Sequence, residues 1–263
     1  MSAFLNLFKL RIGVAIAFAA LAGLAVQSGP ALSPWQVLAV TLAVLVSSSA
    51  AGAFNQYAER DLDARMKRTR GRPFVTGRLA HGPRWLWLIG AMMVGSFLLA
   101  AWAANLAAAA YVFLGAFTYG VVYTVWLKRR TWWNIVVGGL AGSFAVLAGA
   151  AAVSPVPNPD ALALAVVLFL WTPPHFWSLA IACREDYAAA GVPMLPVVVG
   201  DARAARAIFA SAALLVAASL APVFSGLGWI YAAFAAAGGG YFLWKWGGGG
   251  GGARPQNPRP PLI

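Results

Sequence analysis

The sequence predicts an all-α integral membrane protein, a polytopic bundle of about eight transmembrane helices, and three observations carry this expectation. Hydrophobic residues fill 61% of the 263 positions and charged residues only 10%, with a mean hydropathy of +0.75. A soluble domain needs roughly a quarter charged residues to cover its surface, so lipid is the main solvent here. Apolar stretches of the roughly 20 residues that a spanning helix takes recur along the chain. The basic residues, which give a net charge of +12, lie between those stretches. That distribution follows the positive-inside rule and does not point to nucleic acid. A helical bundle then follows, because open sheet edges and irregular backbone go unsatisfied in lipid.

The spans fall at about 12–29, 36–54, 85–103, 106–126, 133–153, 160–182, 206–224 and 228–246. The first follows Lys9 and Arg11 and reads as an uncleaved helix, since its apolar run, Ile12 to Val26, is long for a signal peptide. Eight spans put both termini on one side. With Lys9 and Arg11 inside, all 19 Lys and Arg fall in inner segments, and the outer turns (27–35, 104–105, 154–159 and 225–227) hold none. A wrong helix count would scatter these charges, so the distribution supports the topology independently of hydropathy. Six of the seven acids also fall in two inner segments, 55–84 and 183–205, while Asp160 opens the sixth span from outside. The chemistry is therefore expected at the cytoplasmic face. A single cysteine, Cys183, excludes an internal disulfide framework. Residues 1–246 read as one membrane domain, and the Gly- and Pro-rich stretch 247–263 as a flexible tail.

The first inner segment carries Asn55, Glu59 and Asp63 at i, i+4 and i+8, which puts an amide oxygen and two carboxylates on one helix face. Hard cations such as Mg²⁺ take oxygen ligands and are commonly shared between a few carboxylates and substrate phosphates. Asp61 lies off that face unless the helix unwinds. The basic residues immediately after this cluster suit the outer oxygens of a diphosphate, with Lys67, Arg68 and Arg72 favoured. The competing reading is a solvated set of i, i+4 ion pairs. Against it stand the scarcity of carboxylates in this chain and the position of Asn55 within an apolar run.

The sixth span ends in Trp171-Thr172-Pro173-Pro174-His175-Phe176-Trp177, followed by the acids Glu185 and Asp186 and by Gly191-Val192-Pro193-Met194-Leu195-Pro196. Two successive prolines break the hydrogen-bond ladder of a span and need local compensation. His175 lies about nine residues, roughly 13 Å, from the charged end, a depth at which an ionisable group is a functional candidate. The segment Asn55 to Pro73 resembles the first Asp-rich motif of the UbiA superfamily of membrane prenyltransferases. Taken with the segments around His175 and Pro193, it resembles the haem-farnesylating branch of that superfamily.

The resemblance implies a bacterial inner-membrane enzyme that joins farnesyl diphosphate to a vinyl group of haem B to give haem O. It implies Mg²⁺ as cofactor, with Asn55, Glu59 and Asp63 holding the metal–diphosphate and Glu185 and Asp186 forming a second acidic region of metal ligands. That region lacks the spaced DxxxD of other branches. His175 is the candidate for orienting the porphyrin or handling water. Tyr57, Tyr119, Tyr123 and Tyr187 are candidates for stabilising cations. Haem A synthase and terminal-oxidase assembly factors are the implied protein partners. Family members usually have nine spans, and this chain shows eight. The rival readings are a superfamily member acting on a quinone precursor or chlorin, a transporter, and a non-catalytic haem-binding subunit.

Overall fold

The computed structural model describes residues 3–225 and 228–247, and the regular structure among them is helical, with no strand. The long elements are α1 (Leu10–Val26), α2 (Pro34–Ala58), α3 (Arg84–Ala103), α4 (Leu106–Phe117, continued by a π-helix over Thr118–Leu127), α5 (Leu140–Val153, preceded by the turn Asn134–Gly138), α6 (Pro159–Ala182), α7 (Asp201–Ser219) and α8 (Gly228–Gly247). Six helical stretches, those of α2 to α7, are long and apolar enough to cross a membrane, and α1 is a shorter apolar helix. The expected flexible tail, from residue 248 onward, lies outside the described residues.

Neutral amide and hydroxyl caps start the helices at the uncharged end of the bundle. Ser33 and Gln36 form a reciprocal capping box ahead of Pro34, which satisfies two otherwise orphan amides of α2. Asn105 accepts from the amide of Ala108, and Asn158 from that of Ala161, each at 2.9 Å. The same two side chains reach across the bundle. The Asn105 amide donates to the Ala151 carbonyl at 2.6 Å and the Asn158 amide to the Val26 carbonyl at 2.8 Å. Short turns are thereby tied without charge, as a membrane face free of Lys and Arg requires.

Sequential neighbours pack together throughout, and α1 also packs along α5, which closes α1 to α5 into a ring; α6, α7 and α8 extend from it. Small residues make the closing contact. A Cβ on Gly23 would stand 2.0 Å from the Val146 carbonyl oxygen, and one on Gly149 would stand 1.8 Å from that of Ala20. In lipid such close backbone approach is a main source of helix association. Gly23→Ala must push the two helices apart, at a cost of about 1–3 kcal/mol. The expected readout is a lower thermal midpoint in detergent. Gly90→Ala, whose added methyl meets nothing within 4 Å, should leave the midpoint unchanged or slightly higher.

The helix α6 runs through Pro173 and Pro174, both buried, so the pair interrupts the ladder within the span without ending it. The ladder loses the two donors that would serve the Phe169 and Leu170 carbonyls, and hydroxyls bond back to carbonyls on either side of the gap. The Thr172 hydroxyl donates to the Leu168 carbonyl at 3.1 Å, and that of Ser178 to the Pro174 carbonyl. Neighbouring helices and Ser/Thr side chains are what make proline tolerable inside a membrane helix.

Candidate active site

The face predicted from spacing survives a break in its helix. The α2 helix ends at Ala58, Glu59 takes a non-helical φ/ψ of −101°/14°, and a short helix, Arg60–Arg65, comes next. Along the functional face the ladder nevertheless continues, with Glu59 N–H donating to the Asn55 carbonyl at 3.0 Å and Asp63 N–H to that of Glu59 at 2.8 Å. Asn55, Glu59 and Asp63 are all buried, at 2%, 1% and 2% exposure. Asp61 turns outward to Arg129, bonding it twice at 2.8 Å. The break does not bring Asp61 into the cluster.

Buried carboxylates need partners, and the structure supplies one cation to each of the three groups. Lys128 donates to Glu59 Oε2 at 2.6 Å, Arg72 Nη1 to both oxygens of Asp63 at 2.6 and 2.7 Å, and Lys9 to Asn55 Oδ1 at 2.9 Å. The Asn55 amide in turn donates to Thr124 Oγ1 at 3.0 Å. One oxygen stands apart: Glu59 Oε1 is fully buried and has no hydrogen-bond partner. With the amide oxygen of Asn55 and the carboxylate of Asp63 it makes a set of hard donors that suits Mg²⁺.

Sequence reasoning found Arg72 but missed Lys9 and Lys128 as members of the site. Lys9 is the only non-glycine residue with positive φ, 47°, among the described residues. A left-handed residue of this kind costs roughly 1–2 kcal/mol and is often held at functional sites. It turns the chain between the helix Ala3–Leu7 and α1. The Lys9 stem lies on Gly52, 3.4 Å from where a Cβ there would be, and its ammonium also donates to the Tyr119 hydroxyl at 3.0 Å. Desolvation, and then repulsion from Arg72, lowers the Lys9 pKa to about 7.

Lys128 is placed by the π-helix. Nine residues are two and a half turns of an α-helix, so Tyr119 and Lys128 would face opposite ways. In i→i+5 geometry nine residues make roughly two turns. Lys128 N–H closes such a turn on the Tyr123 carbonyl at 2.9 Å, and its ammonium lies 5.6 Å from the Tyr123 ring, just as that of Lys9 lies 5.6 Å from the Tyr119 ring. The two tyrosines stack at 5.6 Å. They form an aromatic wall against the charged cluster.

The second acidic segment takes another role. Asp186 accepts the backbone amides of Lys67 and Arg68, each at 3.0 Å, and Arg68 donates to the Tyr187 hydroxyl at 3.3 Å. Asp186 thus fastens the basic loop, while Glu185 is exposed. Among the described residues no three His, Cys, Asp or Glu side chains converge to hold a metal by themselves. Glu185 and Asp186 thus stand apart from Glu59 and Asp63: the Asp186 oxygens accept two amides, and Glu185 is exposed. Lys67 itself is exposed. His175 is not in the cluster. It lies on an exposed face of α6, stacked on Trp171 at 4.2 Å and edge-on to Phe176 at 5.1 Å. Tyr57 belongs to a separate surface group, stacked on His81 at 4.0 Å.

This cluster of two buried carboxylates, three cations and an aromatic wall sits in a membrane protein of the prenyltransferase class: the chain belongs to the UbiA prenyltransferase family, which it matches over residues 16–248. Its similarity to particular members is high. It is 59% identical to protoheme IX farnesyltransferase 2 of Paramagnetospirillum magneticum, over 90% of this chain and 82% of that one. It is 42% identical to the protoheme IX farnesyltransferase of Hyphomonas neptunium, over 88% and 74%. A UbiA homologue from Archaeoglobus fulgidus, solved bound to DMAPP and Mg²⁺, shares the fold with a TM-score of 0.78 at 19% identity, covering 93% of this chain and 86% of that one.

Proposed function

We propose that the protein transfers the farnesyl group of farnesyl diphosphate to a vinyl group of haem B, giving haem O and diphosphate. One observation carries the reading: a relative that is 59% identical over 90% of the chain is a protoheme IX farnesyltransferase. The buried two-carboxylate, three-cation cluster is the polar environment that a diphosphate leaving group requires. The enzyme works in the bacterial inner membrane with this cluster and both termini on the cytoplasmic side, as the distribution of Lys and Arg favours.

Asn55, Glu59 and Asp63 would hold Mg²⁺, which would neutralise charge on the departing diphosphate. Lys9, Lys128, Arg72 and Arg68 face the phosphate oxygens and stabilise the negative charge that grows as the farnesyl C1–O bond breaks. Lys67 adds charge at the rim. The electron pair of that bond leaves with diphosphate. Tyr119 and Tyr123 present ring faces to the allylic cation, and the bundle keeps water from it. The terminal vinyl carbon of haem then bonds to C1. A water molecule adds to the adjoining vinyl carbon and loses its proton to solvent. His175 and Trp171 offer a flat aromatic surface on α6 for the porphyrin, and His175 orients it.

Farnesyl diphosphate, haem B and Mg²⁺ incubated with the purified protein are expected to yield haem O by mass spectrometry, with no product in the presence of EDTA. Absence of haem O, or equal transfer to 4-hydroxybenzoate, would overturn the assignment.

A further inference from the structure

We propose that Lys9, Lys128 and Arg72 are exchange partners: each holds a metal-ligand group until diphosphate arrives, so Mg²⁺ and diphosphate bind as a pair and Mg²⁺ alone binds poorly. The proposal rests on the diphosphate reading above and adds an order of events to it.

Each of the three groups assigned to the metal is engaged by a cation of the protein itself. Glu59 Oε2 is held by Lys128 at 2.6 Å, Asp63 by Arg72 at 2.6 Å and Asn55 Oδ1 by Lys9 at 2.9 Å. Three cations against two carboxylates leave this buried cluster with one formal positive charge. A dication entering alone meets that excess, and it meets an ammonium or guanidinium already seated on each ligand group. Even at the dielectric of bulk water, a unit positive charge about 5 Å away weakens the binding of a divalent ion by roughly tenfold or more.

Diphosphate reverses the balance. Its oxygens are better partners for ammonium and guanidinium groups than amide or shared carboxylate oxygens are. Once the cations turn to it, the ligand oxygens are released to the metal. The geometry allows this with little rearrangement. Lys9 and Lys128 reach the cluster on flexible four-carbon stems from two separate elements, the turn before α1 and the end of the π-helix, and Glu59 Oε1 is already unpartnered. Arrival of the anion and coordination of the metal are then two halves of one exchange.

Calorimetric titration of the purified protein in detergent, using Mg²⁺ with and without inorganic diphosphate and corrected for their association in buffer, tests the coupling. In the wild type, Mg²⁺ binding is expected to be at least about tenfold tighter with diphosphate than without. Lys9→Met leaves only the neutral partners Asn55 and Tyr119 behind, so it avoids stranding a buried carboxylate. It should tighten Mg²⁺ binding in the absence of diphosphate and weaken diphosphate binding, each by roughly tenfold, while Lys9→Arg keeps the wild-type pattern. Opposite signs on the two ligands are the signature, because a merely structural lysine would move both the same way. Loss of both affinities in a Lys9→Met protein of normal thermal midpoint overturns the proposal, as does no change in either. Independent binding of Mg²⁺ and diphosphate to the wild type overturns the coupling alone. Failure of the two to bind even together overturns the active-site reading with it.

Discussion

Glu59→Gln and Asp63→Asn are each expected to lower the rate of farnesyl transfer by about 10²–10³-fold, the usual loss when one preorganised electrostatic group is removed from a transition state. Each variant keeps the shape of its side chain and an oxygen that can still accept from Lys128 or Arg72. The negative charge that balances Mg²⁺ is what disappears. Alanine at either position is a poorer test. It would strand a cation against a buried wall, at a cost of about 3–5 kcal/mol, and confuse misfolding with lost chemistry. Asp61→Asn is the control from the same sequence cluster. Its pair with Arg129 is solvent-exposed, with side-chain exposures of 52% and 43%, and such pairs contribute about 0–1 kcal/mol. The hydrogen bond from Arg129 holds the Asp61 carboxyl below its usual pKa, so the small stabilisation it gives is present above the ordinary carboxylate range and fades as the pH falls through the lowered value. Transfer by Asp61→Asn should stay near that of the wild type. Haem O yield and diphosphate release, measured alongside thermal midpoints, separate the three variants. Equal activity in all three would remove Glu59 and Asp63 from the site.

Simple periodicities encode the part of the molecule that is legible in its sequence. Hydropathy located the helices because length and apolarity suffice for a span, and the i, i+4, i+8 spacing of Asn55, Glu59 and Asp63 survived the break at Glu59 because the ladder on that face continues through it. Cation partners were hidden by the same distribution that revealed the topology. Lys9 and Lys128 sit where any positive-inside anchor sits, and composition cannot distinguish an anchor from a buried ligand. Lys9 enters the cluster only through its left-handed backbone. Asp186 shows a contact that sequence does not display: its oxygens accept two backbone amides from a segment more than a hundred residues away. The Pro173-Pro174 pair interrupts the ladder inside a span, as local rules say, and the helix continues only because its neighbours tolerate it. Each of these outcomes was decided by tertiary contact.

The π-helix of Thr118–Leu127 is the clearest case, and it leads to a second large effect. Its wide turns bring Tyr119, Tyr123 and Lys128 to one side, where an α-helix of the same sequence would turn Lys128 away from Tyr119. Deleting Val121, which is 41% exposed and contributes little to the core, should let this stretch relax towards α geometry, in which Tyr119 and Lys128 stand eight residues, about 2.2 turns, apart and no longer share a face. The Lys128–Glu59 bond is then lost, while the two tyrosines, now three residues apart, stay neighbours. Misplacement on this scale costs about 10²-fold in rate. The thermal midpoint should fall, because Glu59 is left buried without its cation, at a cost of about 3–5 kcal/mol that the better hydrogen bonds of α geometry only partly offset. A protein that melts lower than the wild type, is still folded at the assay temperature and transfers farnesyl about a hundredfold more slowly is the expected result. Adding Lys128→Met to the deletion should cost little more, because both changes remove one interaction and their effects are then non-additive. Wild-type rates in the deletion variant, or full additivity with Lys128→Met, would show that the π geometry does not place this lysine for catalysis.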